Sequence, residues 1–377
     1  MIIMNLKLNN ILSFYDFNIN FSYPNKLRNT LIENENLEHI PSFRYKKLNI
    51  FIGANASGKT SLMTCLWRIL VFLNRHEKNY IENIVNFKYK NSYIEIDLVD
   101  DDIFNSSLHR FKIKTDNNED NVKIQISHNK IDLLDSSSYE NKIKQLNALE
   151  DNYKDYLEVL NEANILLGWR VILPATEAGF EDIRFVNYET LDEEEDYLYI
   201  LNNVLMTLDP SIIKITKSND VDNAFVIEHE GTRKIIVQEG YKLSDIPFLS
   251  SGTKYGFNIA NMIFSIKHHK NEIYILDEQF SYINSDIEEA IISTMVSLLG
   301  PNEQLFITTH NSNVLGLGYP FHSFNFIKKE YKDEKHVISV DCASSIENRN
   351  NVSPKTILDN DVFSTAPNVN KIFELGE

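Results

Sequence analysis

The chain has 377 residues, is 43% hydrophobic and carries a formal charge of −17. That length supplies an ample core and two or three structural units, while the acidity counts against nucleic-acid binding through the overall field and leaves only a local basic groove for it. Two cysteines, Cys65 and Cys342, make neither a disulfide framework nor a metal cluster, so both are expected as reduced thiols of a cytoplasmic protein. No stretch approaches about 18 uninterrupted apolar residues, and neither a signal peptide nor a membrane span is expected.

In chain order, Asn5–Ser22 reads as two strands around a bend, with Leu6, Leu8 and Ile11 in the first and Phe17, Ile19 and Phe21 alternating with polar residues in the second. Tyr23–Phe43 is polar, contains Pro24 and Pro41, and reads as a loop. The short β-rich run Lys47–Ile52 then leads into Gly53-Ala54-Asn55-Ala56-Ser57-Gly58-Lys59-Thr60, which fits the phosphate-binding pattern G-x-x-x-x-G-K-[ST]. An accidental match is possible in a flexible loop. The flanking strand and the apolar helical segment Ser61–Leu73 supply the context that the motif requires. Gly53 and Gly58 let the backbone bring bare N–H groups close to a polyphosphate. Lys59 sets a point charge on the β- and γ-phosphates, and the Thr60 hydroxyl is a Mg²⁺ ligand. The helix starting near Lys59 points its positive end at the anion. Asn55, Ala56, Ser57 and Ser61 complete the expected nucleotide-binding set.

Further on, Ser92–Val99, Phe111–Lys114 and Val122–Ile126 alternate as strands of an antiparallel meander, with Asp100-Asp101-Asp102 expected as a solvated turn. Ser138–Leu167 is helix-forming over roughly 30 residues, at most about 45 Å. Asp192–Asp196 is an acidic run opening a helix through Leu208, where carboxylates suit the positive helix start. Ile212–Ile236 again alternates, with Asn219 and Gly231 in turns. Asp220-Val221-Asp222 has the spacing of a metal-dependent nuclease but is expected as turn residues.

Phe248–Thr253 is a Ser/Gly turn ahead of an amphipathic helix, Lys254–Lys267, and such a helix N-terminus binds anions. Glu272–Glu278 is a buried-type strand ending in two carboxylates. Asp277 is placed to hold the Mg²⁺ shell and Glu278 to orient and deprotonate an attacking water. The strand Gln304–Thr309 ends at His310, at the edge where ligands bind in open α/β sheets.

Taken together, these motifs resemble the ABC-type ATPases, in the branch with SMC, Rad50 and RecF heads and the OLD-like ATPases. Gly53–Thr60 matches Walker A. Leu249–Thr253 resembles the signature motif, with Ser251 at a usual glycine and Thr253 at a usual glutamine. Asp277 and Glu278 match the Walker B aspartate and the catalytic glutamate, Ser281–Asn284 falls at the D-loop, and Thr309-His310 matches the switch histidine. Asn10–Phe14 is similar to the N-terminal strand motif of RecF- and OLD-like proteins. The D-loop lacks the usual Leu-His or Leu-Asp ending, and neither Gln125 nor Gln145 stands in a recognisable Q-loop context.

The resemblance implies an α/β P-loop NTPase of ABC-ATPase type, with an N-terminal antiparallel β layer and a mixed β/helical insertion between Walker A and the signature. The expected division is 1–73 and 246–330 for the nucleotide-binding domain, 74–245 for the insertion and 331–377 for a C-terminal extension. It also implies ATP and Mg²⁺ as cofactors and a homodimer or higher homo-oligomer. In that assembly Ser250, Ser251 and Gly252 of one protomer would close the ATP site of the other. The catalytic set is then Lys59, Glu278 and His310, with Thr60 and Asp277 on the metal. OLD-like proteins carry a nuclease domain after the ATPase. The roughly 60 residues after Leu317 are short of a typical domain, so the expectation is a regulatory ATPase controlling a separate effector, a nuclease or toxin, in anti-phage defence. The alternative is a DNA-repair or chromosome ATPase acting directly on DNA through a basic groove in the insertion. No membrane partner is expected.

Overall fold

A computed structural model describes residues 1–23, 31–102, 106–118, 121–134, 137–165, 167–173, 185–231, 234–240, 249–332, 335–346, 354–360 and 373–374. The chain divides into two compact units, Met1–Gly168 with Pro301–Glu377, and Trp169–Gly300.

The first unit opens with β1 (Ile2–Asn9) and β2 (Phe17–Asn20), followed by β3 (Leu48–Ile52), α1 (Lys59–Arg75) and α2 (Asn79–Glu82). The meander is β4 (Asn91–Asp100), β5 (Ser107–Asp116) and β6 (Lys123–Asp132), and α3 (Tyr139–Ala148), β7 (Lys154–Asp155) and α4 (Tyr156–Ala163) follow. These strands form an antiparallel sheet ordered β2-β1-β4-β5-β6-β7. Its pleat sorts the side chains. Leu6 pairs with Ile96, Leu8 with Ile94, and Ile94 with Ile113, which pairs with Ile126, and all are buried on one face. Asp97 and Arg110 pair on the other face, where the guanidinium donates to both carboxylate oxygens at 2.6 and 2.7 Å and Tyr139 donates its hydroxyl to Asp97 at 2.6 Å.

Ser138–Leu167, expected as mostly helix-forming, holds two short helices, α3 and α4, separated by an extended stretch. Polar ties replace helical bonds there. Lys112 holds Asp151 at 2.8 Å, the Asn152 N–H donates to Ser127 Oγ, and Asp155 caps α4 by accepting from the Leu157 N–H. Nor is Asp101 a solvated turn residue. Its carboxylate is almost fully buried and accepts from the His39 N–H, the Ser106 hydroxyl and the Asn302 amide. These donors and His39 outweigh burial and hold its pKa below the usual carboxylate range.

The second unit contains β8 (Trp169–Ile172), α5 (Leu191–Leu208), β9 (Ile212–Lys217), β10 (Ala224–His229) and β11 (Ile235–Gln238), then α6 (Ser251–Lys267), β12 (Ile273–Asp277) and α7 (Ser285–Leu298). β9, β10 and β11 make a three-stranded antiparallel sheet, and β8 runs parallel to β12. The acidic run does cap a helix. Thr190 is the N-cap and accepts from the Glu193 N–H, while the Glu193 carboxylate reaches back to accept from the Glu189 N–H, one residue ahead of the cap. Its acids are also paired, Glu194 with Lys217, Asp196 with Lys267 and Glu193 with Lys270. α5 crosses α6 closely at Gly256, where an added Cβ would stand 2.4 Å from Leu205 Cδ2.

The chain then returns to the first unit with β13 (Gln304–Thr309), β14 (Phe324–Lys332) and β15 (Lys335–Cys342). β3 is flanked by parallel neighbours on both sides, with Ile50 opposite Ile307 of β13 and Phe324 of β14, and β15 pairs antiparallel with β14. Every residue of β3 and β13 is buried, as expected of parallel strands covered on both faces. Gln304 sutures the unit, since its amide accepts from Ile3 N–H at 2.8 Å and donates to the carbonyls of Ile3 and Lys46. Of the expected loops, part of Tyr23–Phe43 lies outside the described residues, as do Phe248 and Phe363–Pro367.

Candidate nucleotide-binding site

In the first unit, β3 delivers the chain to Gly53 and α1 leaves it at Lys59. α1 carries buried apolar residues on more than one side, Leu62, Leu66, Ile69, Leu70, Val71, Phe72 and Leu73 among them, so it is a core helix whose N-terminus is fixed. Gly58 forms that N-terminus at φ 110°, a left-handed backbone that L side chains rarely adopt. Ala56 is also left-handed, at φ 61°. The glycines are further required by space. A Cβ on Gly53 would meet Ile327 O at 2.2 Å, and one on Gly58 would meet Ile338 Cδ1 at 2.6 Å. The β14–β15 hairpin therefore forms one wall of the loop.

Lys59 is 3% exposed and folds back to donate to the carbonyls of Gly53 at 2.9 Å and Ala54 at 3.2 Å. Ser57 is buried, its N–H bonded to Ala54 O, and its hydroxyl has no partner among the described residues. A buried hydroxyl without a partner costs about 1–3 kcal/mol, and an incoming phosphate oxygen would satisfy it. Asn55 and Ala56 are exposed at the loop tip, and Thr60 and Ser61 are half-buried in the first turn of α1. The residues present thus fit a polyphosphate. Because Thr309 lies opposite Ile52 in the parallel β3–β13 pair, His310 emerges from the same strand edge as the loop. Its ring is exposed, and the Asn311 N–H donates to Thr309 Oγ1, turning the chain there.

The second unit gathers the remaining motifs. α6 begins at Ser251, so the Ser/Gly segment expected ahead of the helix is its first turn. Ser250 is the N-cap, accepting from the Thr253 N–H at 3.1 Å. Gly252 packs against the D-loop, where a Cβ would stand 2.9 Å from Tyr282 O. Tyr255 stacks on Tyr282 with ring centroids 5.7 Å apart. β12 ends at the buried Asp277, and Glu278 follows in the left-handed region at φ 49°. That turn is braced by side chains. Gln279 Nε2 donates to Asp277 O at 2.9 Å, Asn258 of α6 donates to Gln279 Oε1 at 3.3 Å, and Ser281 Oγ donates to Glu278 O. Burial, then the charges of Tyr282 and Glu278, raise the Tyr255 pKa.

Sequence reasoning missed Asn258, Gln279 and the Tyr255–Tyr282 stack. Gln279 directly follows the two carboxylates, and that adjacency is the signal that marked it. Gln125 lies exposed on β6 and Gln145 exposed on α3. Asp220 and Asp222 are exposed in the turn joining β9 to β10. Among the described residues, no group of three or more His, Cys, Asp or Glu side chains is placed to hold a metal ion. Mg²⁺ bound through one or two protein ligands and phosphate oxygens does not need one. No described helix is long and apolar enough to cross a membrane.

The P-loop between a parallel strand and a buried helix gives the chain a P-loop NTPase fold of the ABC-ATPase type. A profile of the family described as "AAA domain, putative AbiEii toxin, Type IV TA system" matches residues 48–316, and the chain belongs to that family. The fold is similar to an SMC head solved bound to the C-winged helix domain of ScpA, with 13% identity, 92% of this chain and 99% of that one covered, and a TM-score of 0.51. Also similar are the SMC head domain from Thermotoga maritima (13% identity, 90% and 98% covered, TM-score 0.42) and the Smc head with an extended coiled coil bound to the C-terminal domain of ScpA derived from Pyrococcus furiosus (11%, 92% and 97%, TM-score 0.49). No curated protein matches the chain.

Proposed function

We propose that the chain is a regulatory ATPase that binds Mg·ATP at Gly53–Thr60, closes head to head with a second copy, and thereby controls a separate effector. The observation that carries the nucleotide reading is the loop itself, with the Ser57 hydroxyl buried without a partner among the described residues and the glycines pressed against Ile327 and Ile338. Lys59, the loop N–H groups, Asn55, Ala56, Ser57 and Ser61 hold the phosphates, and Thr60 and Asp277 would hold Mg²⁺, whose charge would stabilise the transferring phosphoryl group. Glu278 orients and deprotonates the water, His310 meets the γ-phosphate, and Ser250, Ser251 and Gly252 close the site of the partner copy. These roles rest on the motifs and on family membership. The family description supports a toxin-pair setting, and an effector nuclease or toxin in anti-phage defence is the corresponding biological reading. The domain division is proposed as 1–73 with 246–330 for nucleotide handling, 74–245 for the insertion and 331–377 for the extension.

Two variants test the reading. Lys59→Ala should abolish measurable ATP binding by calorimetry. Glu278→Gln should lower turnover by about 10²–10⁴-fold, the usual contribution of a general base, while ATP stays bound. Wild-type hydrolysis in Glu278→Gln rejects the base assignment, and unchanged binding in Lys59→Ala rejects the nucleotide site.

A further inference from the structure

Within the second unit, α5 and α7 both lie against α6, and the space between them is a groove of about 420 Å³. The contacts set the directions. Asp196 near the start of α5 pairs with Lys267 at the end of α6, and Leu205 and Leu208 near the end of α5 press on Gly256 near the start of α6. α5 therefore runs antiparallel to α6. Tyr282, three residues ahead of α7, stacks on Tyr255, so α7 starts where α6 starts and α5 ends.

The groove is mostly apolar. α7 presents Ile287, Ile291 and Leu298 in one stripe, α5 presents Ile200 and Val204, and Ile263 of α6 lies between them. Val204, Ile287 and Leu298 are only half-buried, and Tyr199 stands at the lip, 67% exposed. Removing such side chains from water gains about 25 cal/mol per Å². The stripe from Ile287 to Leu298 spans about 16 Å, the length of three turns of a second helix. An apolar furrow of that length is what an amphipathic helix lays its apolar face into.

Charge selects the occupant. Neither α5 nor α7 contains a Lys or Arg. Among the described lining residues only Lys267 is charged, and Asp196 neutralises it. The other cations at the start of α5 are likewise matched, Lys217 with Glu194 and Lys270 with Glu193, while His268 lies on Asp196. Asp192, Glu195 and Asp286 are exposed and make no ion pair with a described residue. Glu195 stands one turn ahead of Tyr199 on α5, and Asp286 one turn ahead of Ala290 on α7, so carboxylates flank the groove at both ends. Trp169–Gly300 as a whole has more than twice as many Asp and Glu as Lys and Arg. Its residues outside the description hold Glu177, Glu181, Asp182 and Asp245 against Arg184, Arg233 and Lys242, which does not reverse that sign. A second copy in the groove would set like charges against like, so charge favours a partner with basic flanks.

We propose that the groove between α5 and α7 docks an amphipathic helix of about three turns from a partner protein. Its apolar stripe covers Val204, Ile287, Ile291 and Leu298, and its lysines or arginines meet Asp192 and Glu195 at one end and Asp286 at the other. This names a docking surface for the separate effector and rests on the effector-control reading for the partner's role, though not for the contact itself.

The probe is a fluorescein-labelled helical peptide of Leu, Ala and Lys, about 16 residues long, with its leucines in one stripe and lysines at both ends. Anisotropy is read with the full chain and no ATP. Wild type should bind it saturably, with an affinity that falls as salt screens the rim pairs. The same peptide with Glu for Lys, and a scrambled one of equal composition without the stripe, should each bind roughly tenfold or more weakly. Thr294→Trp, at an exposed position inside the groove, should fill it and lower affinity roughly tenfold or more, with ATP turnover unchanged. Asp192→Asn/Glu195→Gln/Asp286→Asn, all at the exposed rim, should lower it about tenfold, the combined effect of three exposed pairs, and remove the preference for Lys over Glu. Absence of saturable binding by wild type, equal affinity for the scrambled peptide, or unchanged affinity in either variant overturns the proposal. Self-association of the wild type that Thr294→Trp abolishes would put a second copy in the groove and overturn the partner assignment. Lys59→Ala should bind the peptide as wild type does. A protein that binds the peptide but not ATP therefore rejects the ATPase reading and leaves the groove, whereas one that hydrolyses ATP and ignores the peptide rejects the groove alone.

Discussion

Gly53 shows what one residue does in this loop. Its φ is ordinary, so no left-handed backbone demands glycine there; space does, because Ile327 O occupies the volume a methyl would need, 2.2 Å from the ideal Cβ. A backbone carbonyl cannot rotate away as a side-chain tip can. Gly53→Ala should therefore displace the β14 wall and cost about 1–3 kcal/mol, the usual range for overpacking. The measurement is the urea midpoint, and the same variant should lose ATP affinity. Gly58→Ala differs in mechanism, meeting both a positive φ of 110° and Ile338 Cδ1. The motif made both glycines and Lys59 legible in the sequence. What presses on them was not, because Ile327 and Ile338 lie far along the chain and periodicity carries no information about which distant hairpin lands on a loop.

At the scale of elements, patterns of one period were legible and interruptions of them were not. β4, β5 and β6 follow from their alternation. The break between α3 and α4 does not, because Leu149–Asp155 has helix-compatible composition and is held open by tertiary ties from Lys112 and Ser127. The cap of α5 is local in sequence. Thr190→Ala should cost about 1 kcal/mol, seen as a lower urea midpoint with an unchanged m-value. The β5–β6 pair stores a pH dependence. His109 and His128 stack with Phe111 and share a hydrogen bond of 3.0 Å between Nδ1 and Nε2. Burial, with the charges of His128 and Lys130 adding, lowers the His109 pKa to about 3, and burial with Lys130 lowers that of His128 to about 4. Both rings stay neutral in the folded protein while the unfolded chain protonates them near 6.5. The unfolded state therefore binds more protons, and stability falls as pH drops from about 6.5 toward 4, by at most about 2.7 kcal/mol per unit for two protons. Urea melts at pH 7, 6 and 5 should show that loss. Replacing both rings, His109→Phe with His128→Phe, should flatten it even if the baseline stability shifts.

For the molecule as a whole, net charge makes the proposed assembly respond to salt. Each copy carries −17, so two copies approaching head to head repel through their summed fields. This repulsion is screened over about 10 Å at 0.1 M salt. Glu278→Gln with Mg·ATP is the state in which dimers should accumulate, because nucleotide stays between the protomers. Raising monovalent salt from about 50 to 200 mM should then increase the dimer fraction measured by light scattering. A dimer that dissolves with added salt would mean that local ion pairs, not the net field, govern the encounter. A Glu278→Gln protein that stays monomeric with ATP bound would remove head-to-head closure from the mechanism while leaving the nucleotide site intact.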